Sequence, residues 1–250
     1  MNRIIVFALM FFCMTMQIEA QTLSEEEVTA KMYQAFELNK AAKKAEALEL
    51  FLIVGENTKQ QRNEGERQVY VCSQTMACQC YELLGRYKEG YLLGKSLLQG
   101  KLNDTERKDV GHLYAMNGYM YACEFIQRDE KGRADYKRGR ELISEILPYS
   151  DGQVKEYAET KIPLSWYFEG AQYAMTQSYD EALSSYEEAL NGFRDLGRVS
   201  EEVDVLSGIA SVKAHLCKFD EAKRVYYQAF VLAHQNGKVN KQMDVLRELW

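Results

Sequence analysis

The stretch from Trp166 to Ala189 constrains the fold of this chain more than any other part of its sequence. Small and aromatic residues recur there at fixed distances, with Gly170 and Tyr173 in the first half and Ala182 and Tyr186 in the second. Because Gly and Ala have little bulk, two helices can cross closely at these positions while the rings fill the surrounding space. The stretch therefore predicts a pair of packed helices.

The same pattern recurs along the chain. The small residues of the second helices are Ala47, Gly90, Gly139, Ala182 and Ala222. Each spacing between them exceeds the roughly 34 residues of the shortest repeat of this kind. A helical turn adds about 3.6 residues, so longer helices with the same crossing explain the difference. The other positions of the pattern are Ala35, Phe51, Cys78, Tyr81, Gly118, Tyr121, Trp166, Gly170, Tyr173, Tyr186, Ala189, Ala210, Tyr226 and Ala229.

From about Ser24 to Phe230 the chain resembles the tetratricopeptide repeat (TPR) family, whose motif W-x2-L-G-x2-Y…A-x3-F it matches with Glu169 in place of the Leu. The resemblance implies an all-α, right-handed superhelical solenoid of about five antiparallel helix hairpins. The expected units are 24–60, 66–102, 104–148, 152–197 and 199–237, with a partial sixth at 239–250.

Residues typical of helix boundaries support about ten helices. Capping boxes are predicted at Ser24–Glu27 and Ser178–Glu181, with a weaker start at Asn103–Glu106. Left-handed residues at helix ends are predicted at Gly100, Gly197 and Gly237. The chain has only two prolines, and Pro163 predicts that a helix begins or kinks there.

Residues 1–20 are predicted to be a signal peptide that precedes the solenoid at 21–250. A short, positively charged N-terminal part with Arg3 is followed by an apolar run from Ile4 to Met16, and the small residue Ala20 ends the segment. A membrane anchor is the alternative, although a spanning helix needs about 20 apolar residues. We therefore expect an exported protein, periplasmic or envelope-associated, that meets a membrane only through this leader or a missing C-terminal segment.

The charge of the chain argues against a nucleic-acid partner. The formal net charge is −6 and no basic stripe is present. The most basic window, from Arg128 to Arg140, also contains three acidic residues and is interpreted as a solvated loop and helix start.

Three cysteines, Cys72, Cys78 and Cys80, are interpreted as buried, inert thiols. Cys72, Cys78 and Cys80 are close in sequence, but residues two apart on a helix point about 200° away from each other, which argues against a metal cluster. A disulfide between neighbouring repeats, such as Cys80 with Cys123, is an open alternative.

No catalytic motif is found. His112, His215 and His234 are far apart in sequence and none belongs to an H-E-x-x-H pair. The segment from Gly90 to Ser96 resembles a phosphate-binding loop, but it has one residue too few between its glycines and lies in an amphipathic helix, where backbone N–H groups are already bonded. We expect no enzyme activity, no cofactor and no metal.

The TPR resemblance implies that the first helix of each hairpin lines a concave binding face. Family members that bind chaperone C-termini use Lys and Asn at these positions, and both are missing here. A mostly neutral face with aromatic and Met side chains favours a protein or peptide ligand with apolar anchors; packing between repeats is the alternative role for the rings. The positions are Met32, Phe36, Thr75, Gln79, His112, Tyr119, Tyr167, Met175, Ser207, Ser211 and His215.

The segment from Val239 to Trp250 begins a sixth first helix with an apolar stripe. It is either a terminal cap or the start of further repeats. The exported array resembles the N-terminal repeat regions of Bacteroidota sensor and regulator proteins. We therefore expect a non-catalytic periplasmic protein-binding or peptide-binding module, the sensory portion of a signalling protein. The alternative is a stand-alone assembly or chaperone-like scaffold of the cell envelope.

Overall fold

The structure, a computed structural model, describes residues 23–127 and 134–249. Eleven α-helices and one short 3-10 helix make up this part of the chain, which contains no strand. The predicted all-α fold is confirmed. The predicted signal peptide and the first six residues of the basic window, Arg128 to Arg133, lie outside the described residues.

The chain divides into two compact units, with the boundary between Gly85 and Arg86. The N-terminal unit has three helices, and its second helix packs against both others. The small and aromatic side chains of Ala35, Ala47, Phe51 and Cys78 are fully buried in it. Its helices are α1 (Glu25–Lys40), α2 (Lys44–Thr58) and α3 (Glu64–Leu83).

The C-terminal unit contains the other eight α-helices. Consecutive helices within it pack against each other, and α9 contacts α7, α8, α10 and α11, so helix pairs stack on their neighbours. Its helices are α4 (Tyr87–Leu98), α5 (Asp104–Ile126), α6 (Tyr136–Ile146), α7 (Gly152–Met175), α8 (Tyr179–Asp195), α9 (Val199–His215), α10 (Phe219–Gln235) and α11 (Val239–Leu249), with the 3-10 helix at Leu147–Tyr149.

The expected unit 66–102 crosses the boundary at Gly85, and the division into repeats stays a prediction. Among the helices of residues 23–127 and 134–249, none combines the length and the apolar composition that a membrane-spanning segment needs.

The turns that join α7 to α11 share one geometry and recur at a constant interval. Gln177, Gly197, Cys217 and Gly237 each have a positive φ, between 58° and 65°. At each turn the left-handed residue and the residue after it donate backbone hydrogen bonds to carbonyls in the last turn of the preceding helix, as Gly197 does to Arg194 over 3.0 Å. This is the Schellman arrangement, which satisfies carbonyls that a helix end leaves unpaired. The short turns bring each helix back against the previous one.

The predicted helix boundaries are partly correct. Capping boxes form at Ser24 and at Asn103, and Gly197 and Gly237 are left-handed. The predicted box at Ser178 is wrong, because its side chain makes no capping hydrogen bond in the tight turn. Gly100 is likewise not left-handed.

Of the two alternatives predicted at Pro163, the helix start is wrong, because α7 continues through this residue, and the kink stays a prediction. Proline lacks the N–H that would bond one turn earlier, and its ring crowds that turn. Here the proline is buried, and a Cβ added at Gly192 of α8 would lie 2.8 Å from the Pro163 Cβ. The absence of a side chain at Gly192 thus lets α8 approach α7 at the proline.

Small residues lie where helices approach closely in the C-terminal unit. A Cβ added at Gly170 of α7 would lie 2.8 Å from the Tyr186 ring of α8, and one at Gly118 of α5 would lie 2.5 Å from Ile146 of α6. Ordinary contacts begin at about 3.4 Å. Larger residues would therefore push these helices apart.

The departure of Glu169 from the repeat motif has a local explanation. Its carboxylate accepts a hydrogen bond of 2.7 Å from Arg140 of α6, and only 11% and 17% of the Arg140 and Glu169 side chains are exposed. The guanidinium also lies 3.4 Å from the centre of the Trp166 ring. A mostly buried ion pair thus takes the place of the apolar contact that the Leu of the motif would make.

Candidate functional site

An open cleft of about 300 Å³ lies between α5 and α7 of the C-terminal unit. Residues of α5 form one wall, and residues from the first two turns of α7 form the other. The lining residues are Met116, Tyr119, Met120, Gln153, Val154 and Tyr157.

Helical spacing brings these side chains together. Met116, Tyr119 and Met120 are three and four residues apart, which places them on one face of α5. Val154 and Tyr157 are three residues apart on α7. The rings of Tyr119 and Tyr157 stack with centroids 6.3 Å apart, and 52% of Tyr157 is exposed. The cleft therefore presents accessible aromatic and thioether groups to solvent.

Polar contacts flank both ends of the cleft. At one end the His112 Nδ1 lies 3.0 Å from the Asp151 Oδ1. At the other end Cys123 lies one helical turn after Tyr119 on α5. Burial raises the pKa of both Tyr119 and Cys123, so both groups are neutral near pH 7. None of the six lining residues carries a charge, which suits an apolar ligand better than an ionic one.

The structure places the predicted binding residues in several environments. Tyr119 lines the cleft, and His112 lies one helical turn before Met116 on α5, outside the lining. Tyr167 instead packs its ring 5.8 Å from that of Tyr186, and burial, then the nearby Asp204, raises its pKa. The Asp204 carboxylate is itself bonded to Lys241 over 2.5 and 2.6 Å. Tyr167 is thus partly enclosed by its neighbours.

The remaining predicted residues of the C-terminal unit do not line the cleft. Ser207 and Ser211 are both half-buried. His215 is exposed in part and stacks on Tyr179 with centroids 5.9 Å apart. Met175, at the end of α7, is 75% exposed.

In the N-terminal unit the predicted residues lie on α1 and α3. The Phe36 ring meets the buried Phe51 ring edge-on with centroids 5.5 Å apart, and the Thr75 hydroxyl donates to the backbone of its own helix. Met32 is half-buried and Gln79 is exposed. None of the four lines the cleft of about 300 Å³ at the helix ends of this unit.

That N-terminal cleft is less suited to binding. The Arg62 guanidinium is paired with Glu66 at 2.7 Å, and the Asn57 side chain accepts a hydrogen bond from the backbone of Leu23. Its main polar groups are therefore already engaged with one another.

Sequence reasoning missed Met116, Met120 and Tyr157. Met116 and Met120 lie four and eight residues after His112, so the helical spacing from a predicted residue could have found them. Tyr157 gave no comparable signal, because its role depends on how α7 packs beside α5.

No disulfide joins the five cysteines of the described residues. Burial raises the pKa of Cys78 to about 12, as expected for an inert thiol. The prediction of a buried thiol is wrong for Cys72, because Cys72 lies on an exposed face of α3. Cys217, for which burial was not predicted, is also exposed. No group of three His, Cys, Asp or Glu side chains in the described segments could hold a metal ion.

Comparison with known proteins gives resemblance at the level of structure alone. No family model matches the chain. No curated protein sequence matches it. Similar solved structures include a putative kinesin light chain of Podospora anserina with nearly identical TPR-like repeats (14% identity, TM-score 0.35, 84% of this chain and 96% of that one). Another is the apo form of RapI, with 14% identity and a TM-score of 0.35 over 85% of this chain and 72% of that one. A third is the TPR protein TTC0263 of Thermus thermophilus, with 14% identity and a TM-score of 0.31 over 89% of this chain and 98% of that one.

Proposed function

We propose that this protein is a non-catalytic helical-repeat module that binds a peptide segment of another protein in the cleft between α5 and α7. The observation that carries the proposal is the aromatic and thioether lining of this open cleft, in which Tyr157 is exposed and no side chain is charged. Tyrosine offers a large apolar ring with little entropy to lose, and methionine adapts to irregular partners. A segment with one or two apolar anchors suits this lining.

We further propose that the module is exported and forms the sensory part of a signalling protein. The support is the apolar run from Ile4 to Met16, together with the resemblance to exported repeat regions. Expression of the full coding sequence followed by cell fractionation tests export. Removal of about 20 residues and recovery from the periplasm support the proposal, whereas an intact leader on a cytoplasmic product contradicts it.

The coding sequence beyond Trp250 tests the signalling role. A reading frame that continues into a membrane-spanning segment supports a sensor. A stop codon directly after Trp250 contradicts it and favours the envelope scaffold.

Peptides selected from a random display library on the wild-type protein test the cleft. We expect Tyr157→Ala to weaken binding of the selected peptides by about tenfold or more in fluorescence anisotropy, because the exposed ring is lost as an anchor. The matched control is Tyr227→Ala on α10, which removes a tyrosine that is 66% exposed and outside the cleft. Its affinity should equal that of the wild type.

Thermal unfolding of each variant separates binding from stability. Tyr157→Ala should keep a Tm close to that of the wild type, since about half of the residue is solvent-exposed. Equal peptide affinity in Tyr157→Ala and wild type would contradict a binding role for the cleft.

A further inference from the structure

Two methionines of the cleft form a pair of thioether donors. Met116 and Met120 are one helical turn apart on α5, and both side chains line the cleft. Residues four apart on a helix have Cβ atoms roughly 5–6 Å apart, so their sulfur atoms can approach one ion. No other two methionines between residues 23 and 249 are three or four residues apart.

A third donor lies one turn before this pair. The His112 Nδ1 is 3.0 Å from the Asp151 carboxylate. An Nδ1–H that donates to a carboxylate leaves the lone pair on Nε2, which is the arrangement that orients histidines for metal binding. The Nε2 atom has no hydrogen-bond partner among residues 23–127 and 134–249. The imidazole is therefore available next to Met116.

The chemistry of the cleft selects the class of ion. Its lining contains no carboxylate, so hard cations such as Ca²⁺ and Mg²⁺ lack the charged oxygen ligands that usually bind them. Thioethers are soft ligands that select Cu(I) among biological metals. The rings of Tyr119 and Tyr157 stand at the same cleft, and aromatic faces attract cations.

We propose that Met116 and Met120 bind a soft monovalent cation of the Cu(I) class in the cleft, with the His112 imidazole as the adjacent donor. The ion site shares the cleft with the proposed peptide site, but it depends on the sulfur atoms of Met116 and Met120 and not on the exposed ring of Tyr157. It is also distinct from a thiolate site, because Cys123 is buried and is not among the residues that line the cleft.

Silver ion is the probe, since Ag⁺ shares the soft character of Cu(I) and is not oxidised by air. The variant used for this titration carries Cys72→Ser and Cys217→Ser, which remove the two exposed thiols of the described residues. Methionine methyl groups labelled with ¹³C are followed by NMR during titration with Ag⁺. We expect the Met116 and Met120 signals to shift together and saturate at about one ion per chain, while Met175 and Met243 do not move.

Isosteric variants provide the second measurement. Met116→Leu with Met120→Leu should weaken Ag⁺ binding by about tenfold or more, because leucine keeps the volume and removes the sulfur. Met175→Leu with Met243→Leu, at two exposed positions, is the control and should bind as the parent does.

Three results would overturn the proposal. One is unchanged affinity in the Met116/Met120 double variant, and another is an equal response of Met175 and Met243. The third is capture of Ag⁺ that disappears in Cys123→Ala while the Met116 and Met120 methyl signals never move. The methyl shifts are read in the protein with both methionines, so the test does not depend on the folding of the leucine variant.

Discussion

Two regions of the C-terminal unit differ in regularity. From α7 onward the helices α8, α9 and α10 each have 17 residues, and the left-handed turns recur at a constant interval. Earlier in the unit α5 has 23 residues and α6 has 11, and the connection between them is longer. We refer to residues 152–249 as the regular region and residues 87–146 as the irregular region.

The cores of these regions also differ. The regular region buries aliphatic side chains such as Val203, Val205 and Leu206 around Phe193. In the irregular region the stacked rings of Tyr91 and Tyr114 lead to a polar network at Glu145. The apolar contacts between neighbouring helices are thus supplemented by directional hydrogen bonds in the region where the period is broken.

The comparison suggests where function resides. In the regular region, Tyr167 packs against Tyr186, and the Asp204–Lys241 ion pair joins α9 to α11. At the border with the irregular region, α5 and α7 instead leave the Met116 and Tyr157 side chains around an open cleft. The cleft with the aromatic and thioether lining thus lies where the helix lengths change, between α5 of the irregular region and α7 of the regular region.

The largest expected effect comes from overpacking a helix crossing. Gly170→Leu in the regular region should destabilise the protein by more than about 3 kcal/mol, because the new side chain would enter the space of the Tyr186 ring. Gly118→Leu should do the same in the irregular region, against Ile146. Urea unfolding measures both variants.

The control for overpacking is Ser184→Leu on the exposed surface of α8, which should change stability by less than about 0.5 kcal/mol. If Gly118→Leu lost little stability while Gly170→Leu lost much, close helix crossings would matter only in the regular region.

The next effect concerns the ion pair between the two regions. Arg140→Met should cost about 3 kcal/mol, since it leaves the mostly buried Glu169 carboxylate without its partner. The double variant Arg140→Met with Glu169→Leu restores the Leu of the motif and should recover most of that loss. Urea unfolding of both singles and the double gives the coupling free energy. Additive losses in the double variant would contradict the pairing.

The sequence predicted the helices well because small residues and boundary residues act locally. It did not explain Glu169, because its partner Arg140 lies on another helix and joins it only through packing of α6 against α7. His112 and Tyr119 were predicted from one helix, but the cleft also needs Tyr157 from another. Positions within an element follow from periodicity, whereas a cleft depends on contacts between elements.

The left-handed turns give a smaller effect of opposite sign. Cys217 has a φ of 58°, and a residue with a Cβ pays roughly 1 kcal/mol there relative to glycine. Cys217→Gly should therefore stabilise the protein by about 0.5–1 kcal/mol under reducing conditions, whereas Gly197→Ala should destabilise it by a similar amount. Cys217→Ala is the control for loss of the thiol and should be nearly neutral. Differential scanning calorimetry follows all three, and a lower Tm for Cys217→Gly would contradict the shared turn geometry.

The smallest effect is the response of the irregular region to acid. Burial raises the pKa of Glu145, but hydrogen bonds from Lys95, Tyr114 and Tyr91 outweigh it, so the net shift is below the ordinary 4.5. A lowered folded pKa stabilises the protein above that ordinary value, and this stability is lost as the pH falls through the folded pKa. Glu145→Gln should flatten the stability profile below about pH 4.5.

Urea unfolding at pH values between roughly 3 and 6 measures this profile, because carboxyl groups titrate in that range. The control is Glu187→Gln, at an exposed position of α8. If the Glu145→Gln profile keeps the steepness of the wild type, the network does not contribute to acid sensitivity.

Methyl NMR of the protein with a selected peptide tests the central claim most directly. With ¹³C-labelled methionine methyl groups, the peptide should shift Met116 and Met120 in the cleft and leave Met175 and Met243 of the regular region unchanged. Shifts at Met175 and Met243 without any at Met116 and Met120 would contradict the assignment of binding to the cleft between α5 and α7.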